Sequence, residues 1–107
     1  MQNLVNPFQV TSTDDGWKVT GEIDMSSSSA LSDAFGNYNG NGSSGGVVVD
    51  VDEVTFIDSS GLRVLVDLVN RVDPGRVTLL NTPSSVRRLL ELTGLSTMFC
   101  FDGLVHD

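Results

Sequence analysis

Residues 45–62 read GGVVVDVDEVTFIDSSGL, and they carry the strongest indication of the fold. Its first half contains a near-continuous apolar run, VVVDV, which is typical of a strand inside a sheet that is covered on at least one face. The stretch then ends on an acid, two hydroxyls and a glycine, Asp58 to Gly61, directly before a helical pattern. A buried strand that passes at once into a helix indicates a sheet with helices packed on it.

The sequence after this junction predicts an amphipathic helix over residues 59–72, SSGLRVLVDLVNRV. One buried stripe is expected along it, formed by Leu62, Leu65, Val66, Val69 and Val72. The DPG sequence at 73–75 stops the helix, because proline cannot continue it and glycine turns easily. RVTLL at 76–80 is then the next predicted strand.

The C-terminal part predicts a third helix and a short strand. In NTPSSVRRLLELTG, residues 81–94, Thr82 is the expected N-cap, Pro83 the first helical residue and Gly94 the residue past the end. MFCF, residues 98–101, is a short last strand or an extended tail.

The N-terminal part predicts a hairpin and a first helix. FQVTST at 8–13 and WKVTGEI at 17–23 alternate apolar and polar residues, and a DDG turn separates them. DMSSSSALSDAFGNY at 24–38 has apolar residues at helical spacing. The glycine-rich GNGSSGG at 40–46 is expected to be a surface connection.

The element order ββαβαβα(β) predicts an α/β fold with a mixed sheet. The opening hairpin makes an antiparallel pair, and right-handed crossovers make the later strands parallel. A chain of 107 residues has the usual size of one domain. We therefore expect a single domain over residues 1–107, with its core at about residues 8–101.

Charge and composition restrict the possible partners. Fourteen acidic residues against six basic ones give a formal net charge of −8. Nucleic acid and anionic membranes require a basic surface, so neither is an expected partner. No apolar run reaches the roughly 18 residues of a membrane helix, and the N-terminus has no secretory pattern. The single cysteine, Cys100, favours a reducing compartment, the cytoplasm.

The residue content argues against an enzyme. A serine hydrolase using Ser59 or Ser60 is improbable, because G-x-S-x-G is absent and the one histidine, His106, lies next to the C-terminus. One histidine, one cysteine and scattered acids give no metal-ligand spacing. We expect no catalysis, no metal and no cofactor.

The polar junction itself has a structural and a functional interpretation. Asp58 or Ser59 can cap the helix, a contribution of about 1 kcal/mol, and Ser60 has the same structural interpretation. Gly61 costs roughly 1 kcal/mol relative to alanine, so it serves either close packing or the approach of another molecule. A phosphoryl group on either serine would lie at a helix end suited to anions and add nearly two negative charges.

Two segments resemble STAS domains, and most closely the bacterial anti-sigma factor antagonists. They are VVVDVDEVTFIDSSGLRVLVDLV at 47–69 and GEIDMSSSSAL at 21–31. The resemblance in element order covers roughly Phe8 to Phe101.

The resemblance implies a phosphorylation site and a docking surface around it. Ser59, directly after Asp58, would be phosphorylated by a partner kinase that is itself the anti-sigma factor. Asp24, at the end of the second strand, would lie close to this site and to the partner contact. It can cap the first helix at the same time. The surrounding docking surface would include Asp58, Ser60, Gly61 and Leu62. Gly61 would be the gap through which the kinase reaches Ser59.

The second helix carries one further docking candidate. Val64 lies on the side away from the apolar stripe, so we expect it to be exposed and to contact a partner. Leu68 flanks the stripe, and we expect it to be buried.

The function that the resemblance implies is partner switching in bacterial transcription regulation, for instance in a stress response. The unphosphorylated protein would bind an anti-sigma factor with serine kinase activity and so release a sigma factor. Phosphorylation on Ser59 would break that complex, and a PP2C-like serine phosphatase would reverse the modification. The alternative is a non-phosphorylated STAS module that is a regulatory or structural subunit of a transporter or signalling complex.

Overall fold

The computed structural model describes residues 7–38, 46–72 and 76–103. Strands and helices follow one another in the order ββαβαβα, then a 3₁₀ turn and a last strand. The strands are β1 (Gln9–Ser12), β2 (Gly16–Ile23), β3 (Val47–Ile57), β4 (Val77–Leu80) and β5 (Cys100–Asp102). The helices are α1 (Ser28–Gly36), α2 (Ser59–Val72) and α3 (Ser84–Leu92), and the 3₁₀ turn spans Ser96–Met98.

The strands form a five-stranded sheet in the order β1-β2-β3-β4-β5. β1 and β2 pair antiparallel across a short turn, and each later neighbouring pair is parallel. A parallel pair needs a crossover connection, which helices provide between β2 and β3, β3 and β4, and β4 and β5. The predicted fold class, a mixed sheet that opens with a hairpin, is therefore confirmed.

The core lies between the helices and one face of the sheet. Along β3, the buried side chains of Val47, Val49 and Val51 alternate with half-buried ones, as the two-residue period of a strand requires. Phe35 of α1 packs against Trp17 of β2, with ring centroids 4.8 Å apart. Burying one such large apolar side chain is worth about 1.5–3 kcal/mol, so this layer fixes the helices on the sheet.

Strands β2 and β3 end side by side. Ile23 is opposite Ile57 in the parallel register, and the N–H of Asp58 donates a hydrogen bond to the carbonyl of Ile23 at 3.1 Å. The next residue of each chain segment, Asp24 and Asp58, therefore emerges at the same edge of the sheet. In open α/β sheets, binding sites lie beyond this carboxyl edge.

Several predicted boundaries differ from the structure. The last strand was expected over residues 98–101, but β5 spans Cys100–Asp102 and Met98 belongs to the 3₁₀ turn. The third strand was expected over VVVDV, but β3 continues to Ile57. Thr82 was expected to cap the third helix, but Pro83 is the N-cap of α3 and no side-chain oxygen caps it. Asn81, with a φ of 56°, turns the chain after β4, and Thr82 then packs into the interior with 1% of its surface exposed.

Several predictions concern residues outside the described parts of the chain. These are most of the glycine-rich connection at 40–46, the DPG stop at 73–75 and the terminal His106. None of the helices in the described parts is both long and apolar enough to cross a bilayer.

Candidate functional site

Asp58 caps the N-terminus of α2. Its Oδ1 accepts hydrogen bonds from the N–H groups of Ser60 at 2.8 Å and Gly61 at 3.3 Å. Its carbonyl accepts the first backbone bond of the helix, from the N–H of Leu62 at 2.9 Å. Two of the otherwise unpaired N–H groups of the first turn are thus satisfied by one carboxylate, and the predicted cap is confirmed.

The hydroxyl of Ser59 is left free by this arrangement. Ser59 is the first residue of α2 and is exposed, and its side chain makes no hydrogen bond within the described residues. The neighbouring Ser60 is half-buried, and its side chain lies beside α1. Of the two serines, Ser59 is therefore the one that a modifying enzyme reaches more easily.

Asp24 organises the turn that leads from β2 into α1. Its Oδ1 accepts hydrogen bonds from the backbone N–H of Ser26 at 2.9 Å and from the Ser26 hydroxyl at 2.6 Å. Hydrogen bonds from the Ser26 hydroxyl and then from its N–H lower the pKa of this carboxyl, because they stabilise the charged form. The N-cap of α1 is Ser27, so Asp24 stabilises the preceding turn rather than capping the helix itself.

The serine-rich sequence makes this turn possible. The hydroxyl of Ser27 is buried, donates to the carbonyl of Glu22 at 2.8 Å and accepts from the N–H of Asp24 at 3.0 Å. Short hydroxyl side chains of this kind compete with the backbone for hydrogen bonds and therefore favour turns. Asp24 and Asp58, both half-buried, are held at the same edge of the sheet by these local bonds.

Gly61 is a packing residue. A Cβ placed on it would lie 2.6 Å from Cγ2 of Ile23 and 2.7 Å from Cγ1 of Ile57, closer than real side-chain atoms approach. The residue is buried against the ends of β2 and β3. Of its two predicted roles, the packing role is the correct one, and Gly61 opens no route to the neighbouring serine.

Leu62 is also covered. With 7% of its surface exposed, it belongs to the core. Gly61 and Leu62 therefore hold the start of α2 against the sheet and do not form an exposed docking surface.

The prediction that Val64 is exposed is wrong. Val64 is 8% exposed, because α1 packs against α2 and covers the side of the helix beside the apolar stripe. Leu68 is buried, as expected, whereas Val66 and Val72 of the predicted stripe are only half-buried. The covered face of α2 is thus rotated toward α1 relative to the predicted stripe.

The exposed apolar residues near the site are two that the sequence did not single out. Met25 is 80% exposed directly after Asp24, and Phe56 is 48% exposed two residues before Asp58. The signal for Met25 was an apolar residue between an acid and four serines. No signal revealed Phe56, because alternation from the buried Val54 places it inward and the strand departs from strict alternation there.

An open, polar groove of about 340 Å³ separates α1 from α2 beside the junction. It is lined by Ser28, Ser29, Ser32, Asp33, Ser60, Arg63, Val64 and Asp67. Its α1 side consists of three serines and Asp33, and its α2 side carries Arg63 and Asp67. Ser60 therefore lies in a groove that contains both acidic and basic side chains.

The sequence and the fold are similar to those of known proteins. The family model of the STAS domain matches residues 11–106. An anti-sigma factor antagonist from Mycobacterium paratuberculosis has a similar structure, with a TM-score of 0.70 and 28% identity over 90% of this chain and 84% of that chain. The anti-sigma factor antagonist SpoIIAA in its unphosphorylated form shares the fold, with a TM-score of 0.60 and 22% identity over 89% of this chain and 87% of that one.

Proposed function

Because the chain belongs to the STAS domain family, we propose that it is an anti-sigma factor antagonist controlled by phosphorylation of Ser59. The observation that carries this proposal is the exposed, unbonded hydroxyl of Ser59 at the start of α2, next to the Asp58 cap. The similarity to an antagonist at 28% identity over 90% of this chain supports it. The unphosphorylated protein binds an anti-sigma factor that is also a serine kinase, and a sigma factor is released.

The modification is a phosphoryl transfer from a nucleoside triphosphate. The hydroxyl oxygen of Ser59 forms a bond to the γ-phosphorus, and the bond from that phosphorus to the β,γ-bridging oxygen breaks. A nucleoside diphosphate leaves, and a base on the kinase takes the hydroxyl proton. This protein is the substrate and performs no catalysis of its own. A PP2C-like serine phosphatase reverses the modification by hydrolysis.

The phosphate acts through charge at the docking surface. It adds close to two negative charges beside Asp58 and near Asp24, where a partner would have to cover all of them. A coupling free energy of about 1–3 kcal/mol changes affinity roughly 5- to 150-fold, which is enough for a switch. We assign Asp24, Asp58 and Ser60 to the docking surface. The buried Gly61, Leu62 and Val64 hold α2 in the position that places this surface.

The setting of this switch follows from the same proposal. One domain, spanning residues 1–107 with its core at about 8–101, carries both the phosphorylation site and the docking surface. The partner proteins act on transcription, so the protein works in the bacterial cytoplasm.

Phosphosite mapping tests the residue assignment. The protein is expressed with the serine kinases of its native host and mapped by mass spectrometry as wild type, Ser59→Ala and Ser60→Ala. We expect phosphate on wild type and Ser60→Ala and none on Ser59→Ala. Phosphate on Ser60 alone would overturn the assignment. A stable complex with no phosphate at all would favour the alternative, a non-phosphorylated regulatory or structural subunit of a transporter or signalling complex.

A titration tests the mechanism. Ser59→Asp places a negative charge at the site, and we expect it to bind the kinase at least 5-fold more weakly than wild type. Ser12→Asp, which adds the same charge on exposed β1, serves as the control and should bind like wild type. Equal affinities for all three proteins would contradict the switch.

A further inference from the structure

Arg63 lies one helical turn after Ser59 and has no partner among the residues that the structure describes. Along the exposed face of α2, Ser59, Arg63 and Asp67 follow one another at four-residue spacing, and all three are exposed. Within the described parts of the chain, Arg63 makes no hydrogen bond and has no carboxylate oxygen within 4.0 Å. The chain carries only six basic residues against fourteen acidic ones, so a cation without a counter-ion is unexpected.

The neighbouring acids are poorly placed to hold Arg63. Asp67 follows it by four residues, and an arginine that precedes its acid on a helix is the weaker of the two orientations. Asp33 lines the opposite wall of the α1–α2 groove, but it lies on another helix and outside ion-pair distance. The favourable orientation on a helix has the acid first and the base four residues later. Ser59 occupies the acid position of such a pair, and it becomes acidic only when it is phosphorylated.

We propose that Arg63 is the intramolecular counter-ion of phosphorylated Ser59. This inference rests on the proposed function, because it concerns the same modification. Side chains at positions i and i+4 have Cβ atoms about 5–6 Å apart, within easy reach of the long arginine side chain and a phosphate. A phosphate offers three acceptor oxygens, and the guanidinium binds two of them through parallel N–H groups. The pair therefore forms without any change of the backbone.

The consequence is a switch with two parts. In the unphosphorylated protein, Arg63 is the cation of the groove and is available to a partner. After phosphorylation, it turns toward Ser59, so the docking surface gains a phosphate and the groove loses its cation. The charged groups near this end of α2 are otherwise acidic: Asp24 in the turn after β2, Asp33 on α1, and Asp58 and Asp67, which precede and follow Ser59 and Arg63 along the chain.

The test uses phosphoserine placed at position 59 during translation with an expanded genetic code, so that no kinase is required. The second ionisation of the phosphate is followed by ³¹P NMR titration in wild type, Arg63→Gln and Arg71→Gln. Arg71 is the matched control, an exposed arginine in the last turn of the same helix. We expect Arg63→Gln to raise the proton affinity of the phosphate roughly 2- to 5-fold, and Arg71→Gln to leave it unchanged. The increase should shrink in 1 M salt, where the Debye length is about 3 Å.

An unchanged titration in Arg63→Gln, or an equal shift in both variants, would overturn the pairing. Thermal unfolding of the unphosphorylated variants verifies that each of them folds. The outcome is independent of the proposed function, since the phosphate is installed without a kinase. Failure of the host kinases to modify Ser59 would remove the proposed function and leave the measured pairing intact, whereas a null ³¹P result would remove only the pairing.

Discussion

Two strand-to-helix junctions in this molecule have the same connectivity and opposite designs. At the β3–α2 junction, the carboxylate of Asp58 caps the first turn and accepts two N–H groups. At the β4–α3 junction, Pro83 is the N-cap and no side chain caps the helix. The preceding Thr82 is buried, and its hydroxyl has no hydrogen-bond partner. One junction has its polar group at the surface, and the other has it in the interior.

The difference shows how a capping carboxylate leaves a neighbouring hydroxyl accessible. A carboxylate that satisfies the helix end by itself leaves the next hydroxyl, that of Ser59, free and exposed. At the β4–α3 junction, the hydroxyl of Thr82 is buried in the interior, where no other protein can contact it. Exposure of Ser59 therefore depends on two features: the cap formed by Asp58, and the close packing of α2 against the sheet at Gly61.

The largest expected effect comes from Gly61→Ala, which would disrupt the packing of α2 against the sheet. The added methyl group would collide with Ile23 and Ile57, and overpacking of this kind costs about 1–3 kcal/mol. Alanine recovers roughly 1 kcal/mol of helix propensity, so we expect a net loss of up to about 2 kcal/mol in denaturant unfolding. The control is Gly36→Ala in α1, where the nearest atom to the new Cβ is Nη1 of Arg71 at 3.7 Å. If the Gly61→Ala protein were as stable as the Gly36→Ala protein, α2 could move away from the sheet at this position without loss of stability.

The next effect comes from removing the cap with Asp58→Ala. Two N–H groups of the first turn lose their acceptor, and we expect a loss of about 1 kcal/mol in unfolding free energy. Asp58→Asn is the matched control, because an asparagine oxygen caps a helix about as well as a carboxylate. If alanine and asparagine at this position gave equal stability, the carboxylate would not be the group that stabilises the first turn.

The β4–α3 junction predicts a change in the opposite direction. Thr82→Val replaces a buried hydroxyl that has no partner by a methyl group of similar size, and we expect a gain of roughly 0.5–1 kcal/mol. Thr93→Val is the control, because the Thr93 hydroxyl donates to the carbonyl of Leu89 at 2.9 Å and its loss should destabilise α3. Destabilisation by Thr82→Val would indicate that its hydroxyl has a partner in solution.

The sequence predicted one junction correctly because that junction is local. Asp58 caps N–H groups two and three residues away, so the residues that decide the structure stand next to one another in the chain. The element order and the parallel pairing were also predictable, because periodicity and crossover handedness determine them. Thr82 has the same local signal, but the turn at Asn81 and the packing of α3 override it.

The remaining errors have a common cause in contacts between distant segments. The choice between packing and access at Gly61 depended on Ile23, which lies thirty-eight positions earlier in the chain. Val64 is covered by α1, and helical spacing within α2 alone carries no information about which neighbour lies beside it. Phe56 is exposed because β3 departs from strict alternation, and no pattern in the sequence indicates that departure.

The smallest expected effect concerns the β2–α1 turn, a third junction whose acid organises serines rather than a helix end. Hydrogen bonds from Ser26 hold the pKa of Asp24 below its usual value of 3.8. A lowered pKa in the folded state contributes stability that is fully present above the unfolded value and is lost as the pH falls through the folded value. In thermal unfolding, Asp24→Ala should therefore melt slightly below wild type at pH 5–7, and the difference should vanish as the pH falls well below 3.8.

Ser26→Ala removes the hydroxyl donor but keeps the N–H donor, so it should show part of the same pH dependence. A melting difference between Asp24→Ala and wild type that stayed constant down to the lowest pH would mean that the turn does not depend on the charge of Asp24.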